Sequence, residues 1–326
     1  MSQRENRQTL RTITLEEHYA SPKFMEGPGR TYKVHMSEIA KKLCDLGDER
    51  IAAMDAAGID MQVLSLTSPG VEQFAANQAS EFAREANDIL SEAIGRHPDR
   101  LAGFATIPTA APERAADELE RMIKQHNFKG AVINGHVQGR YLDDQFFWPI
   151  LERAEALQVP IYLHPTQPPQ AVIEASYSGF SPEVTSSLAT GAWGWHIETG
   201  LHIIRMILGG VFDRYPHLQI IIGHLGEGLP FMLQRMNRLL PTEITKLKRP
   251  MEAYLRQNLH YTFSGFNFTP TFLDLLLEVG VERIMFSADY PFASMEEART
   301  FLEKIPVSPA DRERIAHGNA ERLLRL

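Results

Sequence analysis

The chain has 326 residues, is 44% hydrophobic, and carries a formal charge of −8 from 41 acidic against 33 basic residues. That length allows one large α/β barrel or two ordinary domains, and the acidic balance excludes a nucleic-acid surface built on a concentrated basic patch. No apolar run reaches the roughly eighteen residues of a membrane span, the opening stretch MSQRENRQTLRT lacks the apolar core of a secretion signal, and the single Cys44 excludes an internal disulfide and suits a reducing cytoplasm.

In chain order, strands are predicted at Thr12–His18, Met61–Leu66, Leu101–Ile107, Gly130–Asn134, Pro160–His164, Leu218–Gly223, His260–Ser264 and Arg283–Ser287. Runs such as AVIN and QIIIG are continuously apolar, as parallel strands covered on both faces should be. Between the strands lie helical patterns with clear punctuation. SEFAREANDILSEAIGRH has apolar residues at helical spacing and ends in a basic turn. In TPTFLDLLLEVG, Thr269 is the expected cap, Pro270 the first helical residue and Gly280 the residue past the end. Ser308 and Pro309 repeat that start in the last helix.

Strand-then-helix units run from end to end without a linker, composition shift or repeat. This favours one α/β domain over residues 1–326, a (β/α)8 TIM barrel, with an open doubly wound sheet as the alternative. One segment, residues 167–194, fits no regular pattern; its PPQ, SYSGFSP and GAWGWH are rich in proline, glycine and aromatics. A long irregular stretch after the fifth strand is expected to be a lid over the substrate.

In a barrel the C-terminal strand ends face the active site. Reading only those ends collects Glu16 and His18, Asn134 and His136, His164, His224 and Asp289. Glu16 and His18 are two apart, so a regular strand turns both to one side and Glu17 to the other. A Glu-x-His pair offers one oxygen and one nitrogen to a metal ion. With His164 and Asp289 the donor set becomes two imidazoles and two carboxylates, which suits Zn²⁺ or Mn²⁺ and leaves positions open for water or substrate. The plainer alternatives are a packed core histidine at His164 and a turn-capping Asp289 before Pro291. His202 and His217 lie within or beside helices and, with His97, His126 and His317, read as structural.

A second cluster stands in GHLGEGLPFMLQRM, where Glu227 follows His224 by three residues. That spacing lets the carboxylate fix the imidazole tautomer and leave the other ring nitrogen for substrate. Arg235, further along the same helix, is a candidate partner for an anionic group, or else a solvated helical arginine.

The ordered set LEEH, YLHP, GHLGEGLP and FSADYPF, with AVING and GGVFDRYP, resembles the amidohydrolase superfamily over nearly the whole chain. Within it the set is similar to the branch of γ-resorcylate (2,6-dihydroxybenzoate) and related hydroxybenzoate decarboxylases. The resemblance implies Glu16, His18, His164 and Asp289 as ligands of one divalent metal ion, no organic cofactor, and His224 with Glu227 as a catalytic pair. It implies non-oxidative loss of CO₂ from an ortho-hydroxy aromatic acid, with Asp289 delivering the proton to the ring carbon. Asn134, Phe24, Trp193 and Phe292 are then expected to contact the substrate, with Trp195 as a further ring neighbour. Homo-oligomers are common in that branch, and one is expected here. Hydrolytic relatives typically begin with His-x-His; Glu16 in that place tilts the choice from lactone or amide hydrolysis, the alternative reading, towards decarboxylation.

Overall fold

The computed structural model describes residues 10–326; the first nine residues, which open the stretch read for a secretion signal, lie outside the described residues. Nine parallel strand segments follow one another: β1 (Ile13–Tyr19), β2 (Met61–Leu66), β3 (Leu101–Gly103), β4 (Ala105–Thr106), β5 (Ala131–Asn134), β6 (Ile161–His164), β7 (Ile220–Ile222), β8 (Leu259–Thr262) and β9 (Ile284–Met285). They pair in sequence order as β1-β2-β3 and β4 through β9. The third predicted strand is split into β3 and β4 at Phe104, whose N–H instead donates to Leu64 O at 2.9 Å.

Closure comes from the ends of the chain. Leu15 N donates to Phe286 O at 3.1 Å and His18 N to Tyr290 O at 2.8 Å, so the segment beyond β9 lies against β1. The open sheet weighed from the sequence is thereby excluded, and the fold is a TIM barrel.

Two apolar cores explain the unbroken hydrophobic runs. Ile13, Leu15, Val63, Phe104, Val132, Tyr162, Ile221 and Met285 form one cluster inside the barrel, its floor closed by Ala320 and Leu324 of the final helix, Asn319–Leu324. Their strand neighbours Leu64, Ile133, Leu163, Ile222 and Tyr261 belong to the larger cluster between barrel and helices. Alternate residues of each strand are therefore apolar for different reasons, and both faces are dry.

β1 departs from simple alternation. Leu15 pairs with Val63, but Glu17 pairs with Leu64, so Glu16 is an extra residue in the strand. It sits in the left-handed region at φ 69°. Ile13 and Leu15 already face the interior, and strict alternation from them would send Glu16 and His18 outward against the helices. The bulge reverses that phase, which corrects the reason, a regular strand, for which the sequence puts the two on one side.

Glu17 turns the other way and is fully buried. It accepts from Ala288 N at 2.8 Å, Tyr290 N at 3.1 Å and Gln62 Nε2 at 3.3 Å, stapling the last strand to the first. Beside it, the buried Arg50 donates to His18 O at 2.7 Å and to Gln62 Oε1 at 3.1 Å.

The helices largely follow their punctuation. Ser308 caps the helix Pro309–Glu313 by accepting from Asp311 N at 3.1 Å. Thr269 is a first-turn residue rather than the cap, which is Phe268, while Gly280 follows the end at φ 83° as expected. Between β6 and β7 the stretch read as irregular holds short helices, Gln170–Val172, a π turn at Ile173–Tyr177 and Pro182–Ala189, the last capped by the Ser181 hydroxyl. Their brevity hid them: each is too short to develop a periodicity. Among the described residues no helix is long and apolar enough to cross a membrane.

His202, on the helix Gly194–Leu208, accepts from Leu142 N at 2.9 Å through Nε2. Burial, then the charges of His136 and Arg205, push its imidazole down to about 3. The folded-state value thus lies below the ordinary 6.5, so its stabilising contribution is complete above about pH 6.5 and is lost as pH falls towards 3, where the unfolded chain takes up a proton that the folded one refuses. Melting temperatures measured from pH 7 to pH 4 are expected to fall, and to fall less steeply in His202→Gln; parallel curves for the two proteins would refute this assignment.

Candidate active site

Glu16 lies at the C-terminal mouth of the barrel with 1% exposure. Its Oε2 accepts from the hydroxyls of Tyr162 and Ser264 and, at 3.2 Å, from Thr262. Its Oε1 has no hydrogen-bond partner among the described residues. That oxygen faces His164 Nε2 at 3.4 Å and His224 Nε2 at 3.9 Å. Burial raises the Glu16 carboxyl to about 8; His224 opposes the shift and Asp289 adds to it. A buried carboxylate with three donors on one oxygen and none on the other asks for a cation on the bare side.

The groups around that oxygen complete a donor set. His164 Nδ1 donates to Pro165 O at 2.8 Å, which leaves the Nε2 lone pair turned towards Glu16. Burial, then the His18 and His224 rings, push His164 well below its ordinary value and keep it a neutral ligand. The His18 ring meets the His164 ring edge-on at 4.8 Å, and its Nε2 stands 3.1 Å from Asp289 Oδ1. Ligand atoms of Glu16, His18 and His164 all lie within 4.8 Å of one another. The bare Glu16 oxygen with the His18 and His164 nitrogens, and Asp289 against His18, make a mixed oxygen and nitrogen donor set of the kind that fits a divalent metal ion.

On the opposite wall, His224 Nδ1 is 2.7 Å from Glu227 Oε1, the pairing expected from their spacing. Burial works against charge on this imidazole, but Glu227 and Glu16 outweigh it and raise the group to about 10. Burial likewise opposes charge on Glu227, and His224 and His196 together hold its carboxyl below the ordinary range. The second Glu227 oxygen is taken by His196 Nδ1, also at 2.7 Å.

Of these groups, His164, His196, His224 and Asp289 border a cavity of about 280 Å³. Tyr32, Trp195, Phe266 and Phe292 supply aromatic walls, and His164, His196, His224 and Asp289 the polar ones. Among the described residues no lysine or arginine lines it. A larger hollow of about 550 Å³ lies at the other end of the barrel, beside Pro160, Gln219 and Arg283 at the strand starts. It contains none of the candidate site residues, only His217, read from the sequence as structural, and barrel chemistry belongs to the opposite face.

The structure thus brings together Glu16, His18, His164, His224, Glu227, Asp289 and Phe292. Four other expected contacts fall elsewhere. Phe24 is fully buried in the outer core, because the short helix Pro22–Glu26 turns it inward. Trp193 is 52% exposed, and it is Trp195, two residues on, that borders the cavity. Arg235 is exposed on the helix Leu229–Leu239, whose buried stripe runs through Leu233 and Met236. Asn134 is buried at the end of β5 with its N–H donating to Glu72 Oε1 at 3.1 Å, away from the cavity lining.

Several site residues escaped the sequence reading. Tyr162 stands two before His164 on β6, and Thr262, the last residue of β8, two before Ser264, so the alternation used for Glu16 and His18 would have found them. His196 left no such trace, since its place depends on how the helix Gly194–Leu208 docks. Gly223 is similarly discreet: a Cβ there would strike the Glu16 carboxylate and lie 2.8 Å from the Ser264 hydroxyl.

A barrel with imidazole and carboxylate ligands at its strand ends defines a metal-dependent amidohydrolase architecture, and residues 32–326 match the Amidohydrolase family. The chain belongs to that family. More narrowly, it belongs with the γ-resorcylate decarboxylases: the enzyme of that name from Polaromonas sp. JS666 is 38% identical over 326 residues, spanning 96% of this chain and 98% of the relative. A Polaromonas dihydroxybenzoic acid decarboxylase structure with manganese and the inhibitor 2-nitroresorcinol superimposes with a TM-score of 0.89 at 37% identity, covering 97% of both chains. A 5-carboxyvanillate decarboxylase structure from Novosphingobium aromaticivorans, also with manganese, gives 0.91 at 32% identity, covering 99% of both.

If Tyr162 orients the Glu16 carboxylate by donating to Oε2, so that Oε1 stays turned towards His164, Tyr162→Phe should weaken metal binding about 10- to 100-fold, the usual cost of losing a partner that orients a ligand. Competition with a chelator, read by metal analysis, measures this; unchanged affinity would remove Tyr162 from the site's support.

Proposed function

We propose that this chain is a metal-dependent, non-oxidative decarboxylase of an ortho-hydroxybenzoate, with Glu16, His18, His164 and Asp289 as ligands of one divalent ion. Manganese is the favoured metal, since two of its structural relatives hold it. The observation that carries the reading is the bare Oε1 of Glu16 beside His164, at the edge of an aromatic-walled cavity that no lysine or arginine lines among the described residues. A substrate carboxylate entering there has no side-chain cation to meet except imidazolium. Held by these four residues, the ion would supply Lewis acidity and a template for the substrate carboxylate and its ortho-hydroxyl.

The chain's own groups supply the rest. Phe292, Tyr32, Trp195 and Phe266 hold the ring flat and keep bulk water from it. Asp289 borders the cavity beside His18 and is the proton donor to the ring carbon that bears the carboxylate. Once that carbon is protonated, the bond to the carboxylate breaks, CO₂ leaves, and its electron pair restores the aromatic ring. Asp289 is left as a carboxylate and recovers its proton from solvent. Protonated His224, held by Glu227, donates from Nε2 to the phenolic oxygen as charge develops there. Residues 167–194 serve as the lid on a single barrel domain, with Gly191 at the cavity edge. The exposed Phe180, Val184 and Trp193 on that segment support a homo-oligomer.

Purified protein of known metal content, given a panel of ortho-hydroxybenzoates and of lactones, is expected to release CO₂ from the former. Hydrolysis without CO₂ release would defeat the proposal. Asp289→Asn is expected to lower turnover by at least about a thousandfold, within the range seen when a central catalytic group is removed, while most of the metal is retained. Surviving activity in that variant would transfer the proton donation to another group. His164→Ala is expected to strip the ion, and full occupancy by metal analysis would break the ligand set.

A further inference from the structure

His196 stands outside the proposed metal ligands, yet both of its ring nitrogens are engaged. Nδ1 lies 2.7 Å from Glu227 Oε2, and Nε2 lies 2.9 Å from the backbone carbonyl of Gly191, at the edge of the cavity. Neither partner has a proton to give: one is a carboxylate held below its ordinary range and the other a carbonyl oxygen. Both contacts can be hydrogen bonds only if both nitrogens donate, which makes the ring an imidazolium. A neutral tautomer would set a lone pair against one of two acceptors.

Two features of the surroundings oppose that charge, the His224 ring, raised to about 10 and 4.6 Å from His196, and the helix start, and the bond to Glu227 must outweigh both. His196 follows the start of the helix Gly194–Leu208, where the helix dipole opposes a cation. The bond to a buried carboxylate is of the stronger, charge-assisted kind. The other rings packed on His196 are His224, with centroids 4.6 Å apart, and Phe266, at 5.0 Å. Glu227 gives one oxygen to each imidazole, Oε1 to His224 and Oε2 to His196. Two separate pairings are the signature of a shared hydrogen-bond acceptor, whereas a metal ion in this cluster would draw both nitrogens towards the same point.

We propose that His196 is a positioning residue: doubly donating, it ties the Glu227 carboxylate to the Gly191 carbonyl and thereby fixes the orientation of His224 at the cavity wall. Gly191 belongs to the lid stretch, so the placement of His224 is coupled to the lid backbone. This rests on the decarboxylase reading for its kinetic consequence, but not for its structural content.

Neutron diffraction from the wild-type crystal tests the structural content directly, without a variant and without turnover. Deuterons on both ring nitrogens of His196 are expected; a single deuteron, or density for an ion between His196, His224 and Glu227, overturns the proposal. In solution, His196→Ala is expected to lower kcat about 10- to 100-fold, to shift the pH–rate profile, and to leave KM and the single metal ion per chain as in wild type. His196→Asn, which returns an amide N–H to Glu227, is expected to recover part of the loss. An unchanged kcat in the alanine variant, or a fall from two metal ions per chain to one, counts against the positioning role. Should no hydroxybenzoate release CO₂, the decarboxylase reading fails while the neutron result still decides the protonation of His196.

Discussion

The site depends on the burial of Glu16. Its carboxylate sits where the apolar interior of the barrel gives way to the cavity, with three hydroxyls on one oxygen and none on the other. It reaches that place only because β1 carries an extra residue there with left-handed backbone. A flat β1 would present Glu17 to the interior and turn the would-be ligands into the helical layer. Both neighbours are then needed to keep the bulge in place: Glu17 takes two backbone N–H groups of the closing strand, and Arg50 takes the carbonyl of His18.

The same strain recurs around the mouth. His224, Glu227, Ser264 and Asp289 join Glu16 with positive φ, a conformation that side-chain-bearing residues adopt at a cost of order 1–3 kcal/mol each. Glu16 has it inside β1, at the bulge; His224, Ser264 and Asp289 have it just past the ends of β7, β8 and β9, and Glu227 has it three residues beyond His224. The packed scaffold below sustains this, since the inner and outer cores fix where every strand stops. A site of convergent charges is thus held by dry packing beneath it rather than by the mutual attraction of its members.

Electrostatically the mouth divides in two. On one side the unpaired oxygen of Glu16 gathers with His18 and His164, and Asp289 stands against His18; the set calls for a cation. On the other, Glu227 already has its cations in His224 and His196 and needs none from outside. In the proposed reaction the first half would take a metal ion and the second hold a proton beside it, the division of labour that decarboxylation of a phenolic acid requires.

Much of this was legible in the sequence. The alternation of short β-branched runs with helices pointed to parallel strands buried on both faces and favoured a barrel over an open sheet, while closure itself was decided by the pairing of the chain ends. Reading only strand ends gathered Glu16, His18, His164, His224 and Asp289, because a barrel sends those positions to one rim. What the sequence could not carry was everything set by docking. A bulge has no periodicity of its own, so the register of β1 was invisible, although its consequence was guessed. Phe24, Trp193, Arg235 and Asn134 were plausible by type and neighbourhood, yet which way each one faces is decided by how a helix rolls or a strand packs. His196 and the Tyr162 hydroxyl found their places by the same route. The order of chemical groups along the chain belongs to the sequence; which of them share a few ångströms of buried space belongs to the packing of elements far apart in it.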